Sequence, residues 1–440
     1  MVMAQAYDKA SEVEVHRHQP PRIVIIGGGF AGIAATRALR RCNAEIVLID
    51  RRNHHIFQPL LYQVATAILA PSAIAAPIRQ LAKKQKNLSV MMAEVTRVDL
   101  TSRSLDTMTP VVGGRNIAFD YLVLATGMRP SYFGHDEFAK HAPGLKTLVD
   151  AEAIRAKILS AYEAAEATDD ENERVRQMTF VLVGAGPTGV ELAGSIALMG
   201  SIALRSNFRR IDPAKTSILL IEGGQRVLPS YAESLSKKAA ERLEKLGVTV
   251  MTRTRVEHVD EQGVIVAGKR IESATVLWTA GVAPSRILST LGVTTDHAGR
   301  VCTGPFLEIP DKPGIFVVGD AAAATQGSRP LPGVAQVAIQ QGRYVGGFIS
   351  ALLNGRPKPR PFWYSDRGDM AIVGRNFAIL ESGRIRLGGF IAFWIWAFVH
   401  LMSLPQMQNR GGVLTQWLWT YLAGQRGARL IPEPPPTLRG

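Results

Sequence analysis

The chain has 440 residues and is 46% hydrophobic and 20% charged, a balance that is typical of globular proteins and excludes disordered or collagenous chains. Its two cysteines are too few for a disulfide scaffold or a four-thiolate metal site. The formal net charge of +14 favours anionic partners.

Both ends of the chain are predicted to be irregular. Residues 1–20 are polar and mixed in charge, and they lack the apolar run of a signal peptide, so we expect a disordered tail. Residues 432–440 are rich in proline, so we expect a second irregular tail there. The folded part of the chain should therefore lie between these two segments.

A glycine-rich loop follows the first predicted strand, residues 22–26, and leads into an alanine-rich helix, residues 33–40. A second predicted strand, residues 45–49, ends at Asp50 and Arg51. This order of strand, glycine loop, helix, strand and acid is the dinucleotide-binding fingerprint in the context that makes it specific. The loop consists of Gly27, Gly28, Gly29, Phe30, Ala31 and Gly32.

Each of three loop glycines has a physical role in this fingerprint. Gly27 permits a tight turn, Gly29 lets the backbone approach a pyrophosphate, and Gly32 lets the helix pack against the strand. The start of the helix presents free N–H groups and a positive dipole end to the phosphates. Asp50 can accept hydrogen bonds from a ribose diol, so these features together predict a bound dinucleotide.

The same pattern occurs a second time, after a predicted strand at residues 179–183. A later strand, residues 217–221, ends at Glu222, whose carboxylate should bond ribose hydroxyls and repel a 2′-phosphate, which favours NADH over NADPH. Arg226 would weaken this preference if its side chain pointed inward. Two fingerprints imply two dinucleotides, and an enzyme that holds two usually passes a hydride from nicotinamide to flavin. The second loop contains Gly184, Gly186 and Gly189.

Three further apolar strands are predicted to end in turns of small residues. An aspartate at the carboxyl end of a parallel strand lies where ligands bind in open α/β sheets, which favours a cofactor role for Asp320. The alternative role, N-cap of a helix in the alanines that follow, is compatible with it. The turns are Ala125, Thr126 and Gly127 after the first strand, Gly281 after its counterpart, and Gly319 and Asp320 after the third.

The C-terminal region contains an aromatic, uncharged stretch of 19 residues at 387–405. A bilayer-spanning helix needs about 20 apolar residues, and this stretch also includes glycine, histidine, serine and proline. We therefore predict two amphipathic helices that lie in the interface of an anionic membrane, with a buried dimer interface as the alternative. The second helix would present Val413, Leu414, Trp417, Leu418, Tyr421 and Leu422 on one face and be flanked by Arg410, Arg426 and Arg429.

These motifs resemble those of the two-dinucleotide flavoprotein reductases. More narrowly, the chain resembles the type II NADH dehydrogenases, single-subunit NADH:quinone oxidoreductases that bind FAD without a covalent link. The narrower resemblance covers nearly all of residues 21–431. It rests on residues 53–66, residues 184–194, residues 331–342 and the aromatic C-terminal region that ends at Ile431.

The resemblance implies roles for residues at matching positions. Glu191 would act in catalysis through proton or quinone handling, although a glutamate in a first helical turn is also favourable for the helix dipole alone. Gln340 and Gln341 would line the quinone pocket, but adjacent helical residues point about 100° apart, so at most one should face the flavin. The residues that would contact FAD are the first glycine loop, Asp50, Arg51, Val95, Asp320, Ala335 and Gln336.

The resemblance implies a non-proton-pumping NADH:quinone oxidoreductase that passes a hydride from NADH to FAD and two electrons on to a membrane quinone. It also implies a homodimer, attached peripherally to an anionic lipid surface on the cytoplasmic face of the cell (inner) membrane. The alternatives are an NAD(P)H:ferredoxin-type or other FAD-dependent reductase without a cysteine relay, either soluble or membrane-associated, and an FAD-binding protein without turnover. We expect no nucleic acid partner and no metal, because His54 and His55 have no acid or thiolate cluster to complete a site.

The predicted fold class is α/β, with two Rossmann-like dinucleotide-binding domains, one inserted in the other, and C-terminal amphipathic membrane-docking helices. The FAD domain would consist of residues 21–148 and 297–386, and the NADH-binding domain of residues 177–296. Residues 149–176 would form a linker whose charged second half is solvated. The docking helices would occupy residues 387–431.

Overall fold

The structure is a computed structural model that describes residues 20–109 and 113–431, so the two predicted tails lie almost entirely outside the described residues. The strands are β1 Arg22–Ile26, β2 Glu45–Asp50, β3 His54–Ile56, β4 Ala75–Pro77, β5 Leu88–Met92, β6 Glu94–Asp99, β7 Ser104–Thr109, β8 Gly113–Ala118, β9 Tyr121–Leu124, β10 Met128–Pro130, β11 Thr179–Val183, β12 Ser217–Ile221, β13 Val248–Met251, β14 Val256–Asp260, β15 Gly263–Val266, β16 Lys269–Glu272, β17 Thr275–Trp278, β18 Val282–Pro284, β19 Val301–Cys302, β20 Ile315–Val317, β21 Ala322–Ala323, β22 Thr325–Gln326, β23 Arg329–Pro330, β24 Asp369–Ile372, β25 Ala378–Ser382 and β26 Ile385–Gly389.

The helices are α1 Phe30–Ala38, α2 Leu61–Ala65, α3 Pro71–Ile74, α4 Ile78–Ala82, α5 Leu148–Ala167, α6 Glu171–Gln177, α7 Pro187–Leu198, α8 Glu233–Lys245, α9 Arg286–Ser289, α10 Ala335–Leu353, α11 Phe390–Ser403 and α12 Met407–Ala423.

The first sheet is parallel, in the order β20-β9-β1-β2-β5. Its strands are apolar and mostly buried, as expected when helices cover both faces of a parallel sheet. Helix α1 packs against α10 at very short range, since a Cβ at Gly342 would lie 2.1 Å from the carbonyl oxygen of Ala31. Strand β20 follows the second sheet along the chain and yet pairs with β9, which supports the interleaved arrangement, although the domain boundaries stay a prediction.

The second sheet repeats this design, with parallel strands in the order β13-β12-β11-β17. The ends of the three neighbouring strands β12, β11 and β17 are in register, because Val183 pairs with both Ile221 and Trp278. The loops that follow these strands therefore lie at one edge of the sheet, the carboxyl edge where ligands bind. The predicted α/β class with two parallel sheets is confirmed. The antiparallel pair β10·β18 joins the two units.

The segment predicted as a linker, residues 149–176, is helical. Helix α5 begins with a capping box at Thr147 and Asp150 and buries one side, including Ile154, Ile158 and Tyr162, in the main core. Helix α5 also packs against the core, because the apolar residues on its inner side recur at helical spacing, and the linker boundaries stay a prediction. In α6, by contrast, no residue is buried.

The two C-terminal helices form part of the core as well as part of the surface. Helix α11 packs on the sheet β24-β25-β26, and the buried side chains of Trp396, Leu404 and Val413 join the main hydrophobic core. The Asn409 amide donates hydrogen bonds to the carbonyls of α3 and its flank, at 3.0 to 3.2 Å. Within residues 20–109 and 113–431, no helix is long and apolar enough to cross a membrane.

The basic flank predicted for the second docking helix is wrong at Arg426. This side chain is only 4% exposed and donates hydrogen bonds to the carbonyl oxygens of Thr66 at 2.7 Å and Ser195 at 2.8 Å. Burial lowers the pKa of its guanidinium to about 9. Arg429 likewise donates to the carbonyl of Ala203, at 3.0 Å. These arginines bind the end of the chain to the end of α2, to α7 and to the segment that follows α7, a role that no local pattern in the sequence indicates.

Candidate active site

The first glycine loop is held by the acid at the end of β2. Asp50 accepts hydrogen bonds from the backbone N–H of Gly28 at 2.6 Å and of Arg52 at 2.8 Å. A Cβ at Gly32 would lie 1.8 Å from the carbonyl oxygen of Gly27, so only glycine allows α1 to approach the strand. At Gly29 a Cβ would meet nothing within 4 Å, so this glycine faces open space. The loop therefore forms a cradle with an open side at the start of α1, where an anion is favoured.

The second loop has the same construction. Glu222 accepts hydrogen bonds from the backbone N–H of Ala185 and of Gly224, both at 2.7 Å. A Cβ at Gly189 would lie 1.9 Å from the carbonyl oxygen of Gly184, whereas Gly186 faces open space. Thus two equivalent cradles stand at the carboxyl edges of the two parallel sheets.

The residues around the first cradle fit an FAD group. Among the described residues, two buried polar atoms near the expected flavin end have no hydrogen-bond partner, the Oγ1 of Thr126 and the Oε1 of Gln336. Gln336 is held in place by its amide nitrogen, which donates to the carbonyl oxygen of Gly368 at 2.9 Å. The open face at Gly29 leaves room for a pyrophosphate, and the two unpartnered oxygens can form hydrogen bonds with a polar ring. Val95 lies in β6, while Arg51 is exposed beside Asp50.

The Gly-Asp turn after β20 is fixed by a glutamine of α10. The backbone N–H of Gly319 donates to the Oε1 of Gln341 at 2.6 Å, and Gln341 is only 1% exposed. Burial raises the pKa of the Asp320 carboxyl, and the positive charge of Lys146 acts in the opposite direction. The alanines after Asp320 form a 3₁₀ turn and strand β21 rather than a helix, so the helix N-cap alternative for this residue is wrong.

Gln340 points away from Gln341, as expected for adjacent residues in a helix. Its amide exchanges two hydrogen bonds with the backbone of Ser365, at 2.9 and 3.0 Å. Ala335 begins α10, and Gln336 follows it. The quinone-pocket roles of Gln340 and Gln341 stay a prediction, and the contacts in the structure give each glutamine a positioning role.

Glu191 lies in the first turns of α7 and is partly exposed. Burial raises the pKa of its carboxyl to about 8, and the backbone N–H of Ile372 is 3.5 Å from its Oε1. The phenols of Tyr62 and Tyr231 have pKa values raised by burial and, to a lesser extent, by the charge of Glu191. A raised pKa favours the protonated form of this carboxyl near neutral pH.

A chain of hydrogen bonds runs from this pocket to the C-terminal helices. The Nε2 of Gln63 donates to the hydroxyl of Tyr62 at 2.8 Å, and the Nε1 of Trp417 donates to the Oε1 of Gln63 at 2.6 Å. The helical spacing places Trp417 on the lipid-facing side of the second docking helix, whereas its indole turns inward to Gln63. The sequence indicates no separate role for Tyr62 or Gln63. The available signal was a Tyr-Gln pair within an otherwise apolar run, residues 60–65, since buried polar side chains need partners.

Two other side chains near the cradles have structural contacts. The Nδ1 of His55 lies 3.0 Å from the carbonyl oxygen of Gly28, and burial lowers its pKa. Arg226 donates to the carbonyl oxygens of Pro229 at 3.0 Å and Tyr231 at 3.2 Å, so its guanidinium is occupied away from Glu222. Within the described part of the chain, no group of three or more histidines, cysteines or acids is arranged to hold a metal ion.

The chain is similar to known oxidoreductases over nearly its whole length. The family model described as pyridine nucleotide-disulphide oxidoreductase matches residues 21–342. The type II NADH:quinone oxidoreductase Ndh of Mycobacterium tuberculosis is 43% identical, over 94% of this chain and 92% of that protein. The mitochondrial internal alternative NAD(P)H-ubiquinone oxidoreductase A1 of Arabidopsis thaliana is 28% identical, over 94% of this chain and 86% of its own length.

Solved structures with the same fold have lower sequence identity. A Plasmodium falciparum NDH2 in complex with NADH superposes with a TM-score of 0.86 at 19% identity, over 94% of this chain and all of that chain. The sulfide:quinone oxidoreductase of Aquifex aeolicus superposes with a TM-score of 0.70 at 17% identity, over 94% of this chain and 96% of that one. These likenesses establish the fold.

The raised pKa of Glu191 makes stability depend on pH. The carboxyl ionises near its ordinary value of 4.5 when unfolded and near 8 when folded, so the unfolded state loses its proton first. The favourable contribution is therefore complete at low pH and is lost as the pH rises from about 4.5 to about 8. In Glu191→Gln, we expect the fall in melting temperature over this range to become shallower. The control Glu244→Gln, an exposed acid on α8, should keep the wild-type slope, and an unchanged slope in Glu191→Gln would contradict a raised pKa at Glu191.

Proposed function

Because the chain belongs to the type II NADH:quinone oxidoreductases, within the pyridine nucleotide-disulphide oxidoreductase family, we propose a separate task for each of its two cradles. The chain is an FAD-dependent oxidoreductase that transfers electrons from NADH to a quinone. We assign FAD to the loop from Gly27 to Gly32 and NADH to the loop from Gly184 to Gly189. The observation that carries this assignment is the pair of equivalent cradles at the carboxyl edges of two sheets joined by β10·β18.

The residues of the first cradle would hold FAD without a covalent link. The N–H groups of the glycine loop would bind the pyrophosphate, and Asp50 would accept from the ribose. Thr126 and Gln336, whose oxygens lack partners among the described residues, would meet polar atoms of the bound cofactor. Gly127, Asp320 and Ala335 would form further contacts. When bound, FAD supplies the group that accepts the hydride and returns the electron pair.

We propose that Glu191 supplies a proton to the quinone. Reducing a quinone to a quinol consumes two electrons and two protons, whereas a hydride brings two electrons and one proton. The second proton must therefore come from a protein group or from water. Glu191 carries a proton at neutral pH because burial raises its pKa to about 8, close to the pH at which a general acid is effective. The ferredoxin-type alternative has less support, since the similar proteins reported above bear quinone in their names.

The proton role of Glu191 can be separated from hydride acceptance. In Glu191→Gln, we expect quinone-dependent turnover to fall by about 100-fold, the usual size of a general acid's contribution, while reduction of the bound flavin by NADH stays within about twofold. Wild-type turnover should also decline as the pH rises through about 8, and the variant should lack this decline. Stopped-flow measurement of each half-reaction gives both rates. Equal losses in both half-reactions, with Glu244→Gln unaffected, would show that Glu191 only maintains the fold.

Glu222 should set the preference for NADH. Its carboxylate would accept from the ribose hydroxyls and repel a 2′-phosphate, and Arg226 cannot compensate while it binds the carbonyls of Pro229 and Tyr231. In Glu222→Gln, the ratio of kcat/KM for NADH over NADPH should fall by about tenfold, equivalent to about 1.4 kcal/mol. Glu241→Gln, an exposed acid on α8, serves as the control. An unchanged ratio with normal flavin content would mean that Glu222 does not face the ribose.

We propose that the outer faces of α11 and α12 dock on an anionic lipid surface, peripherally and on the cytoplasmic face of the membrane. A quinone is lipid-soluble and NADH is not, so the enzyme needs one side toward each phase. The exposed apolar side chains support this proposal, since large aromatic and aliphatic residues in an amphipathic helix favour the membrane interface. They include Ile391 at 68% exposure, Phe398 at 65%, Leu418 at 56%, Trp419 at 60% and Leu422 at 74%. A homodimer would be an alternative or additional use of this face.

Point substitutions test docking without removing core residues of the two helices. In the double variant Leu418→Glu/Leu422→Glu, both side chains are already exposed, so the fold should persist while sedimentation with phosphatidylglycerol vesicles falls by at least tenfold. The control is Val175→Glu on α6, because this apolar side chain is also exposed, at 59%, but lies outside the two C-terminal helices. If the double variant still sediments but its molecular mass in solution is halved, the face is a dimer interface and lipid docking is refuted.

A further inference from the structure

Phe133 has an unusual backbone conformation at an exposed position. Its φ is +54°, in the left-handed region that favours glycine, and the side chain is 68% exposed. A bulky residue with this backbone conformation is uncommon and persists only when the surroundings hold it, often at a functional site. Phe133 belongs to none of the three hydrophobic cores formed by the described residues.

The position of the ring is set by contacts with the second unit. A Cβ at Gly281 would lie 2.5 Å from the Cζ of Phe133, so the ring lies directly on this glycine. Ser131 holds the segment in place, because its backbone N–H donates to the carbonyl of Gly281 at 3.3 Å and its own carbonyl accepts from the Nε1 of Trp278 at 2.8 Å. The hydroxyl of Ser131 also accepts from the N–H of Phe133, at 3.3 Å. The conformation of Phe133 is therefore fixed by contacts with the second unit of the chain.

The turn beneath the ring abuts the second cradle. The hydroxyl of Thr279 donates to the carbonyl oxygen of Gly184 at 2.7 Å, and a Cβ at Gly184 would lie 2.6 Å from the backbone nitrogen of Ala280. The sheet order β12-β11-β17 places Glu222 on one side of this cradle and Gly281 on the other. A dinucleotide with its pyrophosphate on the cradle and its adenosine ribose at Glu222 must extend its other half toward Gly281.

We propose that Phe133 is a positioning residue that packs against the nicotinamide riboside half of NADH. This inference rests on the assignment of NADH to the second cradle. The segment that carries Phe133 leaves the first unit directly after the turn at Gly127, so one short stretch of chain reaches from one cradle to the other. Burial of an exposed aromatic ring on substrate binding releases water from apolar surface, which favours the bound state.

Two truncations and two ligands test this role. In the holoenzyme, Phe133→Ala and Phe133→Gly should each weaken NAD⁺ binding by about tenfold, or about 1.4 kcal/mol, in calorimetric titration. The affinity for ADP, which lacks the nicotinamide riboside half, should stay within about twofold. Phe133→Leu should retain most of the NAD⁺ affinity. The KM for NADH should rise, and the KM for quinone should not change.

The melting temperature separates a binding role from a structural role. Glycine adopts a positive φ without strain, so the melting temperature of Phe133→Gly should equal or exceed that of Phe133→Ala. Under the proposal, both variants nevertheless lose NAD⁺ affinity. Unchanged NAD⁺ affinity in both variants, or equal losses for NAD⁺ and ADP, would overturn the proposal.

Glu222→Gln serves as the reference. If it leaves the affinities for both ligands unchanged, the assignment of NADH to the second cradle fails; if it weakens both while the Phe133 variants weaken neither, only the role of Phe133 fails.

Discussion

A hydride passes only between atoms in near contact, so the relative position of the two cradles constrains everything else in this structure. The antiparallel pair β10·β18 sets that position. In it Met128 pairs with Pro284 and Pro130 pairs with Val282, and Met128 and Val282 directly follow the strand-end turns of the two parallel sheets. Gly127 and Gly281, which precede the two strands of this pair, both have a positive φ that glycine adopts without strain. The two units are therefore joined by a short antiparallel ribbon next to these turns.

The C-terminal region is linked by hydrogen bonds to α2 and α7. The Nε1 of Trp417 donates to Gln63, and the amide of Gln63 donates to the hydroxyl of Tyr62. Arg426 adds a buried cation that ties the carbonyls of α2 and α7 together. The face proposed to meet lipid and the carboxyl proposed to supply a proton are thus parts of one packed unit.

The parts of the fold that depend on the backbone could be predicted from the sequence. A glycine loop between strand and helix has few conformations available, and an acid after the next strand reaches its N–H groups in both units, as Asp50 and Glu222 do. The parts that depend on distant contacts could not be predicted. Arg426 looks like a surface cation in the sequence and is buried because carbonyls far away in the chain need donors. The strain at Phe133 likewise arises from Ser131, Trp278 and Gly281 and has no local signal.

Anaerobic titration of the holoenzyme tests most directly whether the two cradles work in series. NADH is added in substoichiometric steps while the visible absorbance of the bound flavin is recorded, and a short-chain quinone is then added. We expect the absorbance to fall in proportion to NADH, with one NADH per bound flavin, and to return in proportion to quinone, with one quinone per flavin. Quinone reduction without any bleaching by NADH, or bleaching that quinone cannot reverse, would contradict transfer through a flavin held between the two units.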